Sequence, residues 1–353
     1  MESLKVSSLG TQTAPKKTHC VVCGGEEFLL RKTVPFWATG LPSTGQLYTS
    51  ITGKDAFYLI QCVKCRLIFL DPIPEKSYFD TIYEASGCYP EGGDQRLKRD
   101  LEILGSHRGE GKILEVGIGN CLFLNLAREQ GWDVYAVELN PNNVNTAQKL
   151  GFNNVYLGTV ESAPFKEGSF DCVHMSSVLE HVLDPKATIM KLQAFLKPGG
   201  VLMLSAIPNI DSFYHRFIET VLGNNSFIVG FGCAPHLTWI PPFHLFYFNR
   251  HNLKMLIESC NLKVLEDHCR DHIYWEPHEE TTSQALTSTR LGELCREIWS
   301  DKSAPEEKLE KYFGRIVQIL LPAMTGAVLP HLNEIEMALD TVSDLAYLAK
   351  KVA

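Results

Sequence analysis

Residue types and spacings suited to chemistry occur in three places along this chain. The first is Cys20-Val-Val-Cys23-Gly24 with Cys62-Val-Lys-Cys65. Each pair is a thiolate knuckle, in which two sulfurs bind one metal and the backbone N–H groups after the turn point at them; Gly24 suits the tight bend. Together Cys20, Cys23, Cys62 and Cys65 offer four thiolates, a tetrahedral set that favours zinc and leaves no open position for catalysis. The insert of residues 24 to 61 is longer than the usual ribbon spacing. The alternative is a set of buried free cysteines, or a site that has lost its metal. The second place is Ile113-Leu-Glu-Val-Gly-Ile-Gly-Asn-Cys121, a short buried strand followed by a two-glycine turn. Gly117 and Gly119 reach backbone angles closed to other residues, so the main chain can pass close under a ligand. Glu138 ends the next strand about 20 residues later, the spacing at which a carboxylate accepts hydrogen bonds from both ribose hydroxyls of an adenosine ligand. The third is a set of histidines, His181, His236 and His244, whose side chains titrate in the range useful to a general base. His181 could equally brace its loop, His244 could be a structural hydrogen-bonding histidine, and His174, inside a strand, reads as a satisfied core residue.

The elements that position these groups follow from turn and cap signals. Tyr58 to Cys62 and Leu67 to Leu70 read as strands on either side of the second knuckle, and Asp94 to Leu104 as a charged helix with a solvated face. From residue 111 the chain alternates strand and helix. Strands are expected at Ile113–Val116, Val134–Glu138, Val155–Leu157, Phe170–Met175 and Val201–Ala206. Asn140-Pro141 and Asp184-Pro185 open helices, with an N-cap acceptor and proline at the first helical position. Lys197-Pro-Gly-Gly200 reads as a turn. This alternation predicts an α/β fold with a parallel, doubly wound sheet whose ligand site lies at the carboxyl ends of the strands. After Pro208 comes an irregular aromatic stretch ending Trp239-Ile-Pro-Pro-Phe-His-Leu-Phe-Tyr-Phe248. Arg250 to Cys260 then reads as a helix and Leu262 to Leu265 as a strand. Residues 304–321 and 333–350 carry apolar residues at helical spacing and are expected to be two helices.

At 353 residues, with 45% hydrophobic and 21% charged residues, the chain can build one large or two modest domains. A net charge of −8 argues against broad nucleic-acid binding, which needs basic surface to release counterions. No run reaches the ~18 apolar residues needed to span a bilayer, and no N-terminal segment has signal-peptide character, so neither a membrane partner nor export is expected. Eleven cysteines in that setting suggest reduced thiols in the cytoplasm.

With these motifs in view, the chain resembles the class I S-adenosylmethionine-dependent methyltransferases, most closely the group related to the ubiquinone-biosynthesis enzymes. The resemblance covers roughly residues 111 to 268. It is carried by Leu114-Glu-Val-Gly-Ile-Gly-Asn-Cys121, Glu138, Gly158-Thr-Val-Glu-Ser-Ala-Pro-Phe165, Ser169-Phe-Asp171, Val178-Leu-Glu-His-Val-Leu-Asp-Pro185, Leu196-Lys-Pro-Gly-Gly200 and His244-Leu-Phe-Tyr-Phe248. The cysteine pairs followed by Phe69-Leu-Asp-Pro72 also resemble the zinc-binding segment fused to many such enzymes, including sugar C-methyltransferases.

The resemblance implies that S-adenosyl-L-methionine is the cofactor and assigns Glu115, Gly117, Gly119, Asn120, Glu138, Leu139, Thr159, Val160 and Ser176 to its binding. The glycine turn would hold the methionine portion, Glu138 the ribose, Leu139 the adenine face, and Thr159 and Val160 the adenine edge. Cys121 stands where a third glycine is common, and Thr159 where an aspartate is frequent. Some quinone-pathway relatives use an additional acid near Glu180-His181 to hold a metal; Ser177 occupies that place here, so no catalytic metal is expected.

These readings divide the chain into a tail (1–18), a zinc ribbon (19–75), a linking helical segment (76–110), a Rossmann-like methyltransferase domain (111–275) and a helical C-terminal extension (276–353). The expected function is methyl transfer to a small-molecule acceptor, a sugar nucleotide or secondary-metabolite intermediate, with His244, His236 and His181 as candidate catalytic residues. The C-terminal helices would serve as a lid, a homodimer interface or a packing layer. Two other readings are an rRNA or tRNA methyltransferase that uses the ribbon to contact nucleic acid, and a non-catalytic cofactor-binding module.

Overall fold

The computed structural model describes residues 19–35, 52–74, 94–109, 111–212, 241–267 and 344–352, with a few isolated positions between them. Two sheets organise these residues. A seven-stranded sheet runs in order through Leu262–Asp267, Asp344–Lys351, Leu196–Pro208, Phe170–Ser176, Lys112–Val116, Asp133–Glu138 and Val155–Leu157, and a four-stranded sheet through Phe28–Pro35, Ala56–Cys62, Ile68–Leu70 and Phe246–Tyr247.

Parallel pairing runs through the middle of the larger sheet: β4 (Lys112–Val116) lies between β5 (Asp133–Glu138) and β7 (Phe170–Ser176), β5 also pairs with β6 (Val155–Leu157), and β7 with β8 (Leu196–Pro208). Within β4 the last four residues are all buried, as expected for a strand covered on both faces. Three of the connections are helical. α2 (Leu122–Glu129) follows β4, α3 (Pro141–Lys149) follows β5, and α4 (Pro185–Phe195) follows β7. Their starts obey local chemistry: the Asn140 side chain accepts from the Asn142 N–H, and that of Asp184 from the Lys186 and Ala187 N–H groups. The Lys197–Gly200 turn is a looped-out insertion in the ladder, since Leu196 faces Phe170 and Val201 faces Cys172. The linking helix, α1 (Asp94–Arg108), extends four residues past its expected end and buries Asp100, Leu101 and Leu104 completely. Its charged face is thus not wholly solvated.

The C-terminal reading needs correction. Residues 344–350, expected inside the second terminal helix, belong instead to β11 (Asp344–Lys351), which pairs antiparallel with both β8 and β10 (Leu262–Asp267). Six consecutive residues of β11 are buried, so the strand has no alternating face, and a continuous apolar run satisfies helical spacing equally well. The sheet domain therefore draws on the end of the chain, and residues 276–353 are not a helical extension throughout. The expected 304–321 helix falls almost wholly outside the described residues, as do the 1–18 tail and the expected site residue His236.

In the smaller sheet, β2 (Ala56–Cys62) pairs antiparallel with β1 (Phe28–Pro35), a strand that sequence patterning missed, and with β3 (Ile68–Leu70). Its fourth strand is β9 (Phe246–Tyr247), within the stretch read as irregular. One hydrophobic core spans both sheets: Cys65, Phe69 and Phe246 belong to the same buried cluster as Val116, Leu179 and Leu204. After β9 comes α5 (Arg250–Ser259), opened by a reciprocal cap in which Asn249 and Asn252 each accept the other's backbone N–H.

Candidate functional site

At the carboxyl end of β4 the backbone turns through positive φ at Gly117 (78°), Gly119 (48°) and Cys121 (66°). An added Cβ at Gly117 would lie 2.6 Å from Val178 Cγ2, so this position is sterically closed to side chains. At Gly119 an added Cβ would meet nothing within 4 Å, which leaves the backbone open to a ligand. The carboxylate of Glu138 lies under this turn. Its Oε2 accepts from the Ile118 N–H at 3.0 Å and its Oε1 from the Asn140 N–H at 2.7 Å. Each oxygen keeps a second lone pair, so the carboxylate is oriented by the loops it joins and can still accept from hydroxyls.

Around it the expected cofactor residues fall at the ends of neighbouring strands. Leu139 leaves an apolar side chain 43% exposed beside Glu138, a surface suited to a base. Thr159 and Ser162 close a turn in which each side-chain oxygen accepts the other's backbone N–H, with Val160 buried between them. Asn120 Oδ1 accepts from the Leu122 N–H and so supports the start of α2. Ser176, at the end of β7, has a buried hydroxyl oxygen with no hydrogen-bond partner among the described residues. A buried orphan hydroxyl at this edge fits a site that receives polar ligand atoms. The open glycine, the acid, the apolar shelf and the orphan hydroxyl together fit S-adenosylmethionine.

Glu115 differs from the rest. It is buried, and its Oε2 meets Nδ1 of the fully buried His174 at 2.5 Å. Nε2 of His174 lies 2.9 Å from Asp100 Oδ2, which also accepts from the Ser205 hydroxyl at 2.6 Å. Phe123 stacks on the imidazole with centroids 4.0 Å apart. Burial pulls the imidazole down, but the Glu115 and Asp100 carboxylates outweigh it and raise His174 to about 9. Burial raises Glu115 to about 7 against the pull of His174. His174 is thus the satisfied core residue expected, and Glu115 is engaged inside the sheet domain rather than presented to a ligand. Sequence spacing gave no signal of Asp100 or Ser205, because four separate elements supply the network.

On the other side of the carboxyl edge, a single 3₁₀ turn, Leu179–His181, follows β7. His181 Nδ1–H donates to the Phe243 carbonyl at 2.8 Å, which leaves Nε2 with its lone pair. Its ring meets that of His244 edge to face, with centroids 4.7 Å apart. Burial pulls His181 down to about 4, so the ring is neutral at physiological pH, while 24% of its side chain remains exposed. Glu180 is 1% exposed and burial raises it to about 8; its Oε2 has no hydrogen-bond partner among the described residues. Glu180, His181 and His244 each offer one ligand atom within 4.8 Å of the others. The structure therefore unites two of the three expected histidines. The Ser177 hydroxyl donates to the Ala206 carbonyl instead of joining this group.

All four cysteines of the N-terminal knuckles converge. Cys20 Sγ is 3.5 Å from Cys65 Sγ, and Cys23 Sγ is 3.5 Å from Cys62 Sγ. Four sulfurs bound tetrahedrally at about 2.3 Å from a metal would lie roughly 3.8 Å apart, so the arrangement is close to a thiolate cage and far from a disulfide. Gly25 closes the cage, since a Cβ there would lie 3.2 Å from Cys62 Sγ and 3.4 Å from Cys23 Sγ. The Cys65 thiol hydrogen bond pulls Cys20 down to about 5, burial pushes Cys62 up to about 11, and the Cys20 sulfur pushes Cys65 up as well. One thiolate forms readily here, and further ionisation calls for a cation. The residues fit a structural zinc.

Residues 91–267, about half of the chain, match the family described as a methyltransferase domain. Over 143 residues the chain is 29% identical to malonyl-[acyl-carrier protein] O-methyltransferase of Serratia marcescens, covering 39% of this chain and 55% of that protein. Over 102 residues it is 36% identical to ubiquinone biosynthesis O-methyltransferase of Xanthomonas oryzae pv. oryzae, covering 27% of this chain and 43% of that one. The chain thus spans about half the length of these curated relatives. Among solved structures it is similar to an S-adenosylmethionine-dependent methyltransferase of Archaeoglobus fulgidus, with a TM-score of 0.42 and 18% identity over 74% of this chain and 95% of that chain.

Proposed function

We propose that this chain, which belongs to the class I S-adenosylmethionine-dependent methyltransferases, methylates a small-molecule acceptor held beside His181 and His244. The observation that carries this reading is the arrangement at the carboxyl ends of the strands: an open glycine turn with Glu138 beneath it, and after β7 a histidine pair of which His181 is neutral. When bound, S-adenosylmethionine supplies the activated methyl group. Glu138 would accept from its ribose hydroxyls, Leu139 would cover the adenine, Thr159 and Val160 would border it, and the Gly117–Gly119 backbone would hold the methionine portion. The remaining task for the protein is to align the nucleophile and exclude water.

His181 is arranged to take a proton. Its Nδ1–H is committed to Phe243, which fixes the tautomer and leaves Nε2 as the acceptor. The O-methyltransferase names of two relatives support an oxygen acceptor, and a hydroxyl is the oxygen group such a nitrogen would serve. A sugar nucleotide or a secondary-metabolite intermediate remains the acceptor class we favour, and the overall charge of −8 supports a small molecule over RNA. Cys20, Cys23, Cys62 and Cys65 would hold zinc as a structural ion.

Calorimetric titration with S-adenosylhomocysteine, alongside zinc quantification, tests the first half of this reading, with micromolar binding and one zinc per chain expected. A screen of sugar nucleotides and hydroxylated metabolites for S-adenosylhomocysteine release tests the second half. Turnover on tRNA or rRNA but on no small molecule would overturn it, and cofactor binding without turnover on any acceptor would favour a non-catalytic module.

A further inference from the structure

We infer that the four-cysteine module is the positioning element of the His181–His244 pair, so that loading its metal sets the acceptor side of the site and leaves the cofactor side unchanged. This rests on the reading that the histidine pair faces the acceptor.

The connection can be followed bond by bond. The second knuckle closes on itself, with the Arg66 N–H donating to the Cys62 carbonyl and the Cys62 N–H to the Leu67 carbonyl. The chain leaves the knuckle as β3, whose Ile68 and Phe69 face Tyr247 and Phe246 of β9. The Leu70 N–H extends the ladder to the Leu245 carbonyl at 2.9 Å. Leu245 returns the connection to the histidine turn, its own N–H donating to the Glu180 carbonyl at 2.7 Å. Two residues earlier the Phe243 carbonyl accepts from His181 Nδ1–H. His244 lies between those two anchor points, so its backbone is held on one side by the Leu245 bonds that reach the cysteine module through β3 and on the other by the His181 bond to Phe243.

Two further ties fix the same unit. The buried Asn252 Nδ2–H donates to the Cys65 carbonyl at 3.4 Å, which joins the knuckle to the start of α5 just after β9. Arg66 pairs with Asp211 at 2.9 Å, beside Ile210, whose N–H donates to the Phe248 carbonyl. A two-residue strand such as β9 has little intrinsic stability and depends on its partner for register. That partner, β3, is only three residues long, follows directly from the knuckle and pairs along its length with β2, which itself ends at Cys62, so the metal cage joins both strands at the start of β3. The cofactor side is tied within the larger sheet. Gly117 donates to the Val137 carbonyl and Glu138 bonds Ile118 and Asn140, all within the larger sheet and its loops.

Hydrogen exchange read by mass spectrometry on the full chain tests this, comparing zinc-loaded protein, protein stripped by dialysis against a chelator, and stripped protein with zinc restored. Stripping is expected to speed exchange of the Leu245 and Leu70 amides at least tenfold. Peptides covering 113–121 and 134–140 should change less than twofold, and S-adenosylhomocysteine affinity less than threefold; restoring zinc should reverse the effect. The ¹⁵N signals of the His181 imidazole give a second readout, with the Nδ1–H tautomer fixed in loaded protein and averaged in stripped protein. Unchanged protection at 243–248 after metal loss would overturn the inference. So would an equal loss over the whole sheet domain, which would make the module a general stability element. Neither readout depends on finding an acceptor, so failure of the methyl-transfer reading would be seen separately, in the acceptor screen.

Discussion

His174→Leu should be among the most destabilising single substitutions in the sheet domain. The imidazole is completely buried, and it bridges Asp100, also completely buried, and Glu115, 3% exposed. Leucine has nearly the same volume, so little of the loss would come from a cavity. The loss comes instead from two carboxylates left in the interior without their counter-charge. Breaking a buried ion pair by removing one partner costs about 3–5 kcal/mol, or roughly two to nearly four decades in the folded-to-unfolded ratio at 1.36 kcal/mol per decade. Desolvation of the two carboxylates accounts for that cost, and replacing the whole set by apolar residues removes it. Asp100→Leu, Glu115→Met and Ser205→Ala, added to His174→Leu, should therefore recover stability to within about 2 kcal/mol of wild type. Urea unfolding followed by tryptophan fluorescence, to which Trp132 contributes from a buried cluster with Leu101 and Phe123, measures both. A loss below about 1 kcal/mol for His174→Leu, or a fourfold variant as unstable as the single one, would refute this reasoning.

The same group sets a pH dependence. The folded-state value of His174, about 9, lies above its ordinary 6.5, so its contribution is complete below about pH 6.5 and lost as pH rises through 9. Urea midpoints of wild type should fall over that window, and those of His174→Leu should lack this component. Glu138→Ala should weaken S-adenosylhomocysteine binding by about 1.5–3 kcal/mol, roughly tenfold to a hundredfold, as charge-assisted hydrogen bonds are lost. It should also lower the melting temperature, since the Ile118 and Asn140 N–H groups lose their acceptor; unchanged affinity in calorimetry would remove the ribose assignment. Gly117→Ala places a Cβ 2.6 Å from Val178 Cγ2 at a φ of 78°, and a cost of about 1–3 kcal/mol is expected in urea unfolding, partly relieved by Val178→Ala. Cys20→Ser should lower bound zinc to well below one per chain by atomic absorption, and full retention would exclude the four-thiolate set.

Much of this protein is written in short-range chemistry. The glycine turn, the acid at the end of the next strand and the cysteine knuckles are legible because each depends on spacings of a few residues. A turn that needs positive φ, or two sulfurs on one metal, restricts which residue can stand where. Capping signals at Asn140 and Asp184 located their helices for the same reason. Tertiary structure alone decided the rest. His244 stands 63 positions after His181, and long-range pairing, of β9 with β3 and of Leu245 with Glu180, brings their rings together. Asp100 looks like one charge among many on a polar helix until that helix packs over β7 and β8. The last strand, buried along six residues, keeps no periodicity that separates it from a helix. Local patterns constrain the backbone of neighbours in the chain, whereas burial and long-range pairing depend on which surfaces meet, and one sequence read in order carries no mark of that meeting.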